Sequence, residues 1–190
     1  GRSYTIKELA SYSFLLEHFY IVDETTSMTK QDLNGTKLVT MDLSAKLGKE
    51  EPLVLIYHTH GSETYKKVNG KEGSVIEVGT ALTKELENVY GIKTVHDKSV
   101  YDMVDGQLDR NAAYNFAGDS VEAALRKNPS VKVVIDLHRD SVENNIHLRT
   151  KINGKSAAQI MFFNGVSRLS GKGDIGCLYN PNKEANLAFS

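Results

Sequence analysis

Two runs of apolar residues, each ending in histidine, constrain this chain more than any other feature. Leu53-Val54-Leu55-Ile56-Tyr57 is apolar or aromatic throughout and is followed at once by His58-Thr59-His60-Gly61. Val131-Lys132-Val133-Val134-Ile135-Asp136-Leu137 is the second run, and it ends in His138-Arg139-Asp140. Short branched runs of this kind read as strands buried in a sheet that helices cover. In such sheets ligands gather outside the carboxyl ends of the strands. Two strands that each deliver a histidine to that edge could assemble a metal site from distant parts of a chain. Neutral imidazole is a common zinc ligand, so the pattern predicts a zinc hydrolase.

The rest of the composition narrows the classes. A chain of 190 residues can bury a core of its own. Its 23 Lys and Arg balance 24 Asp and Glu, which leaves no basic field of the kind nucleic acid binding needs. Cys177 is the one cysteine, so an internal disulfide and a cysteine-rich zinc site are both excluded. No apolar run approaches the roughly 18–20 residues that span a bilayer. Membrane attachment is therefore expected only through an anchor outside these residues.

Strand and helix signals alternate along the chain. Leu9, Tyr12, Leu15, Leu16 and Phe19 fall at helical spacing within residues 3–20. Residues 23–35 are turn-rich, and residues 33–47 carry a short irregular apolar arm. Ser74 and Glu77 form a capping-box pair at the start of a helix whose stripe is Val75, Val78, Leu82, Leu86 and Val89, closed by Gly91. A short strand is predicted over residues 92–95, ending in His96-Asp97. Val121, Ala124 and Leu125 mark another helix, ending before Asn128-Pro129. After the second principal strand comes a loop with His147. A further strand is predicted over residues 157–163, and residues 182–190 begin a helix. The expected fold is α/β, a twisted and mostly parallel sheet with helices on both faces. The expected organisation is an N-terminal helix and arm over residues 1–50 and a catalytic domain over 51–190.

His60 and His138 are the first two candidate ligands. The third ligand should be a carboxylate, and two glutamates compete for it. Glu63 completes a His-x-x-Glu spacing with His60, which a turn can close onto one metal. Glu77 opens the helix after the first strand, where it can equally serve its own cap. His58, two residues before His60, lies on the same side of an extended chain and is a spare ligand or a supporting donor. His96 and His147 end no comparable apolar run and are read as non-ligands. Arg139 either orients a substrate carboxylate or pairs with Asp140.

Tyr57-His58-Thr59-His60-Gly61-Ser62-Glu63, the helix from Glu77 through Glu87, Tyr90-Gly91-Ile92, His96-Asp97 and Asp136 through Asp140 resemble the stage II sporulation protein P family. Asn164-Gly165 and the stretch from Asn180 through Ala188 resemble its later segments. The family is similar to zinc-dependent N-acetylmuramoyl-L-alanine amidases, of phosphorylase/hydrolase-like fold. The resemblance implies a Zn2+ enzyme with amidase and endopeptidase activity on septal peptidoglycan during spore engulfment. It also implies an extracytoplasmic, membrane-anchored setting and stage II sporulation protein D as partner. Carried over by position, the amidase ligands fall on His60, Glu77 and His138. Glu77 stands five residues before Leu82, as the ligand glutamate stands before a leucine in that pattern, and this favours it over Glu63. The amidase general base is a second glutamate on a late strand, expected beyond Ser190, with Glu63 as the fallback within the chain. The alternatives are a zinc carboxypeptidase-like peptidase or deacylase, which would use His60, Glu63 and His138, and a non-catalytic wall-binding domain.

Overall fold

The computed structural model describes residues 3–46, 50–66, 70–143, 146–176 and 179–190. Cys177 lies outside the described residues. In chain order the elements begin with α1 (Ile6–Leu9), α2 (Tyr12–His18), α3 (Gly35–Val39), β1 (Val54–Tyr57) and α4 (Val75–Asn88). They continue with β2 (Thr94–His96), β3 (Met103–Val104), β4 (Gln107–Leu108), α5 (Arg110–Lys127) and β5 (Val133–Asp136). The last are β6 (Arg149–Ile152), β7 (Lys155–Ala158), β8 (Arg168–Leu169), β9 (Gly173–Asp174) and α6 (Lys183–Phe189).

The chain divides into two compact units, Gly1–Ser44 with Leu148–Ser190, and Ala45–His147. The stretch from Leu148 onward, expected to continue the catalytic domain, clusters instead with the N-terminal helices.

In the unit Ala45–His147, β1 is the centre of a three-stranded parallel sheet of order β2-β1-β5. Val54, Leu55, Ile56 and Tyr57 register with Val133, Val134, Ile135 and Asp136, so the two strands end level. Val54, Leu55 and Ile56 are all buried, as a central strand between two neighbours requires. The α4 helix supplies the crossover from β1 to β2. Its Ser74 hydroxyl accepts from the Glu77 N–H while the Glu77 carboxylate reaches back to the Ser74 N–H. The α5 helix starts earlier than its apolar stripe indicates, because Asp109 accepts from the N–H groups of Asn111 and Ala112 and so sets its first turn. The fold is thus mixed α/β, with a parallel sheet smaller than expected.

The unit Gly1–Ser44 with Leu148–Ser190 packs around Leu15, Leu33, Leu38 and Leu187. The single helix expected over residues 3–20 is two, α1 and α2, because Thr5 and Ser11 each cap a separate start. Asp32 is buried and takes Arg168 Nη1 at 2.5 Å and Lys183 Nζ at 2.8 Å. That pairing offsets the desolvation a buried carboxylate suffers, and Asp32 stays ionised well below the usual carboxylate range.

The strand expected over residues 157–163 is replaced by a hairpin. Lys155–Ala158 pairs with Arg149–Ile152 across Asn153-Gly154, both at positive φ. Asn-Gly is the favoured pair for a type I′ turn, whose twist matches the strands it joins. Local pairing therefore takes the polar start of the segment, and Ile160 and Phe163 lie outside any strand and 86% exposed.

Candidate metal centre

The strand ends bring His60 and His138 together, as the two apolar runs predict. Their rings lie 5.0 Å apart between centroids at 74°. Beyond Tyr57 the chain leaves the extended state and turns, with the Glu63 N–H donating to the His60 carbonyl at 3.1 Å. This turn carries Glu63 back onto the histidines. A Cβ at Gly61 would come within 2.9 Å of the Ser99 carbonyl oxygen, so only glycine lets the turn run so close to that backbone.

Glu63 is 6% exposed, with one oxygen 3.9 Å from His60 Nδ1 and the other 3.6 Å from His138 Nδ1. One donor atom from each of the three residues can be chosen so that all lie within 4.8 Å of one another. Tetrahedral coordination at 2.0–2.1 Å puts neighbouring donors about 3.4 Å apart, so the spacing is close to what a metal needs. The far nitrogens are already held. His138 Nε2 lies 3.0 Å from Asp136 Oδ1, and His60 Nε2 lies 3.3 Å from the Arg110 carbonyl. An imidazole whose Nε2–H is donated to an oxygen presents a bare Nδ1, the form a metal requires. The Arg139 N–H orients the carboxylate by donating to Glu63 at 3.0 Å.

Asp136 is a junction between the strands. It accepts from the Thr59 N–H at 2.9 Å and the Thr59 hydroxyl at 2.6 Å, besides holding His138. Burial works to raise its pKa, but the hydrogen bonds from His138 and Thr59 outweigh it and the net shift is downward. His138 is shifted upward, first by its hydrogen bond to Asp136, against burial, and further by the charges of Asp136 and Glu63. Asp102, fully buried, binds the Ser62 N–H and hydroxyl. Its own carbonyl accepts from the Asp109 N–H, which ties the metal-site turn to the start of α5.

Several expectations are corrected. Glu77 does not join the histidines, since its carboxylate accepts from the Ser74 N–H at 2.9 Å and stays in its own cap. His58 does not share a side with His60, because the alternation of a strand stops where the strand stops. It is buried instead against His96, Nε2 to Nε2 at 2.9 Å, with its Nδ1 2.9 Å from the Leu137 carbonyl. Burial pushes both of these imidazoles below their ordinary pKa and keeps them neutral near pH 7. Among the described residues neither His96 nor His147 is part of the cluster. Arg139 pairs with the Asp140 main-chain carbonyl at 3.4 Å, not with its carboxylate. Asp136 and Arg110 were not singled out from the sequence. The Asp-x-His spacing of 136 and 138 is the one signal that could have pointed to the first.

The histidine pair depends on Gly79. A Cβ there would lie 2.7 Å from Nε2 of both His58 and His96, and His58 is fully buried. Gly79→Ala should lower the unfolding free energy by about 1–3 kcal/mol, the range for overpacking a filled core. Urea unfolding checks this, and an unchanged midpoint would mean the rings have room to move.

Residues 5–190 match the family described as Stage II sporulation protein P (SpoIIP). The chain is 28% identical over 127 residues to Stage II sporulation protein P of Bacillus subtilis (strain 168), covering 61% of this chain and 31% of that protein. The match thus spans about a third of the length of that relative. No solved structure matches the chain. With the family match running over nearly all of its length, the chain belongs to the stage II sporulation protein P family.

Proposed function

We propose that the protein is a zinc-dependent peptidoglycan hydrolase, an N-acetylmuramoyl-L-alanine amidase with endopeptidase activity that acts on the septal wall during spore engulfment. The observation that carries this is the convergence of two imidazole rings and a buried carboxylate at the ends of two parallel strands. Family membership supports the setting, a sporulation role at the cell wall. Stage II sporulation protein D as partner and an extracytoplasmic, membrane-anchored setting are part of the same proposal. No helix among the described residues is long and apolar enough to cross a membrane.

His60 and His138 would hold zinc through Nδ1, and Glu63 would be the third ligand in place of Glu77. Zinc bound there supplies a Lewis acid that polarises the scissile carbonyl and activates water near neutral pH. Asp136 and the Arg110 carbonyl keep the two imidazoles in the ligating tautomer, and the Arg139 N–H fixes the carboxylate. A proton acceptor for the attacking water is still needed. Asp136 is occupied by three donors and Glu77 by its cap, and the glutamate that the resemblance implies beyond Ser190 is the base in this proposal.

The carboxypeptidase-like alternative uses the same three residues, and the position of Glu63 favours it equally. The bond that is cut separates the two readings. Protein purified without added metal should carry about one zinc per chain. Mass spectrometry of purified sacculi digested with a longer form of the protein that carries the expected glutamate should show stem peptides beginning at alanine and glycan freed of peptide. Cleavage confined to bonds within the peptide would select the peptidase, and metal-free protein with no cleavage would leave only the wall-binding domain.

A further inference from the structure

Arg110 stands beside the candidate metal centre with one long ion pair among the described residues. Its Nη1 lies 3.6 Å from Glu63, too long for a good hydrogen bond, and its side chain is 49% exposed. Glu63 is the one acid within ion-pair distance of it among the described residues. That acid is buried, faces both histidine nitrogens and already accepts from the Arg139 N–H. A metal held by Glu63 would claim the carboxylate and leave the guanidinium next to a second cation.

The backbone of Arg110 is nevertheless fixed. Its carbonyl faces His60 Nε2 at 3.3 Å, and the preceding Asp109 is anchored to Asp102 and caps α5. One helical turn further, Tyr114 sets its ring edge-on to His60, 5.3 Å between centroids, and is 59% exposed. Residues four apart share a helix face, so a cation and a phenol extend together from the metal centre into solvent. A planar guanidinium with unused donors is suited to bidentate pairing with a carboxylate.

We infer that Arg110, flanked by Tyr114, binds a carboxylate of the peptide substrate and so makes the site selective for acidic stem peptides. This rests on the zinc hydrolase reading and names the part of the substrate that the chain itself recognises. It also sets two effects against each other. The Arg110 charge opposes the metal and favours the peptide, so its loss should strengthen the first and weaken the second. A residue with a purely structural role would weaken both.

The probes are N-acetyl-L-alanyl-D-glutamate and its diamide, titrated into the zinc-loaded protein by calorimetry, with zinc measured on the same samples. Unsubstituted protein should bind the diacid about 10- to 100-fold more tightly than the diamide, the range for a hydrogen-bonded charge. Arg110→Gln should abolish that preference and bind zinc about two- to fivefold more tightly. Arg110→Lys, which keeps the charge without the fork, should fall between. Persistent preference for the diacid in Arg110→Gln, or no preference in the unsubstituted protein, would overturn the inference. Zinc affinity that falls along with peptide affinity in Arg110→Gln would also overturn it. Absence of zinc from the unsubstituted protein would instead sink the metal reading itself.

Discussion

Glu63→Ala should strip zinc from the protein, while Glu77→Ala should leave it in place. Glu63 is the carboxylate within 3.6 Å and 3.9 Å of the two histidine nitrogens, and it is nearly sealed from solvent. Removing it deletes a ligand and its negative charge, and leaves the Arg139 N–H without an acceptor. Loss of a supporting hydrogen bond already lowers metal affinity about 10- to 100-fold, so loss of the ligand should exceed 100-fold. Glu77→Ala removes half of a capping box instead, which costs about 1 kcal/mol of stability and nothing in metal binding. Zinc per chain after equilibrium dialysis, with urea unfolding on the same variants, separates the two effects. Zinc lost from Glu77→Ala and kept by Glu63→Ala would return the third ligand to α4 and break the geometry proposed here.

The contest between these glutamates shows where sequence stops being sufficient. The two apolar runs, their parallel pairing and the convergence of His60 with His138 were all legible, because burial leaves a mark on composition. The carboxylate was not, because Ser74 and Glu77 satisfy two patterns at once. The i,i+3 spacing that a capping box needs also puts an acid at the start of the helix after β1, where an amidase ligand would stand. Only coordinates show the carboxylate turned back to Ser74. Glu63 carried a weak signal whose meaning depends on the turn at Gly61. The turn in turn depends on how near Ser99 comes, a contact between segments far apart in sequence. The hairpins at Asp105-Gly106 and Asn153-Gly154 are a different failure. Their left-handed dipeptides are strong local signals, and reading them would have removed the strand expected over residues 157–163.

Asp136→Asn should change how both stability and zinc binding respond to pH, with signs that follow from the two shifts at this junction. Asp136 is depressed in the folded protein, so its contribution is present above its ordinary value of 3.8 and is lost as pH falls through the lowered one. His138 is raised, so its contribution is full below the ordinary value of 6.5 and is lost as pH rises through the raised one. These two groups by themselves favour the range between those two ordinary values, while the depressed His58 and His96 take stability away as pH falls below 6.5. Asparagine removes the charge that holds His138 up, so the alkaline decline should end at lower pH and be smaller in total. Zinc needs His138 deprotonated at Nδ1, so affinity in the unsubstituted protein should climb as pH rises through the raised pKa. In Asp136→Asn the climb should come at lower pH, and the plateau should be about 10- to 100-fold weaker because the imidazole loses its anionic partner. Urea unfolding across pH without metal, and competition with a zinc chelator across the same range, give the two curves. Coincident profiles for the two proteins would mean that Asp136 only braces Thr59 and leaves the charge of His138 to its other neighbours.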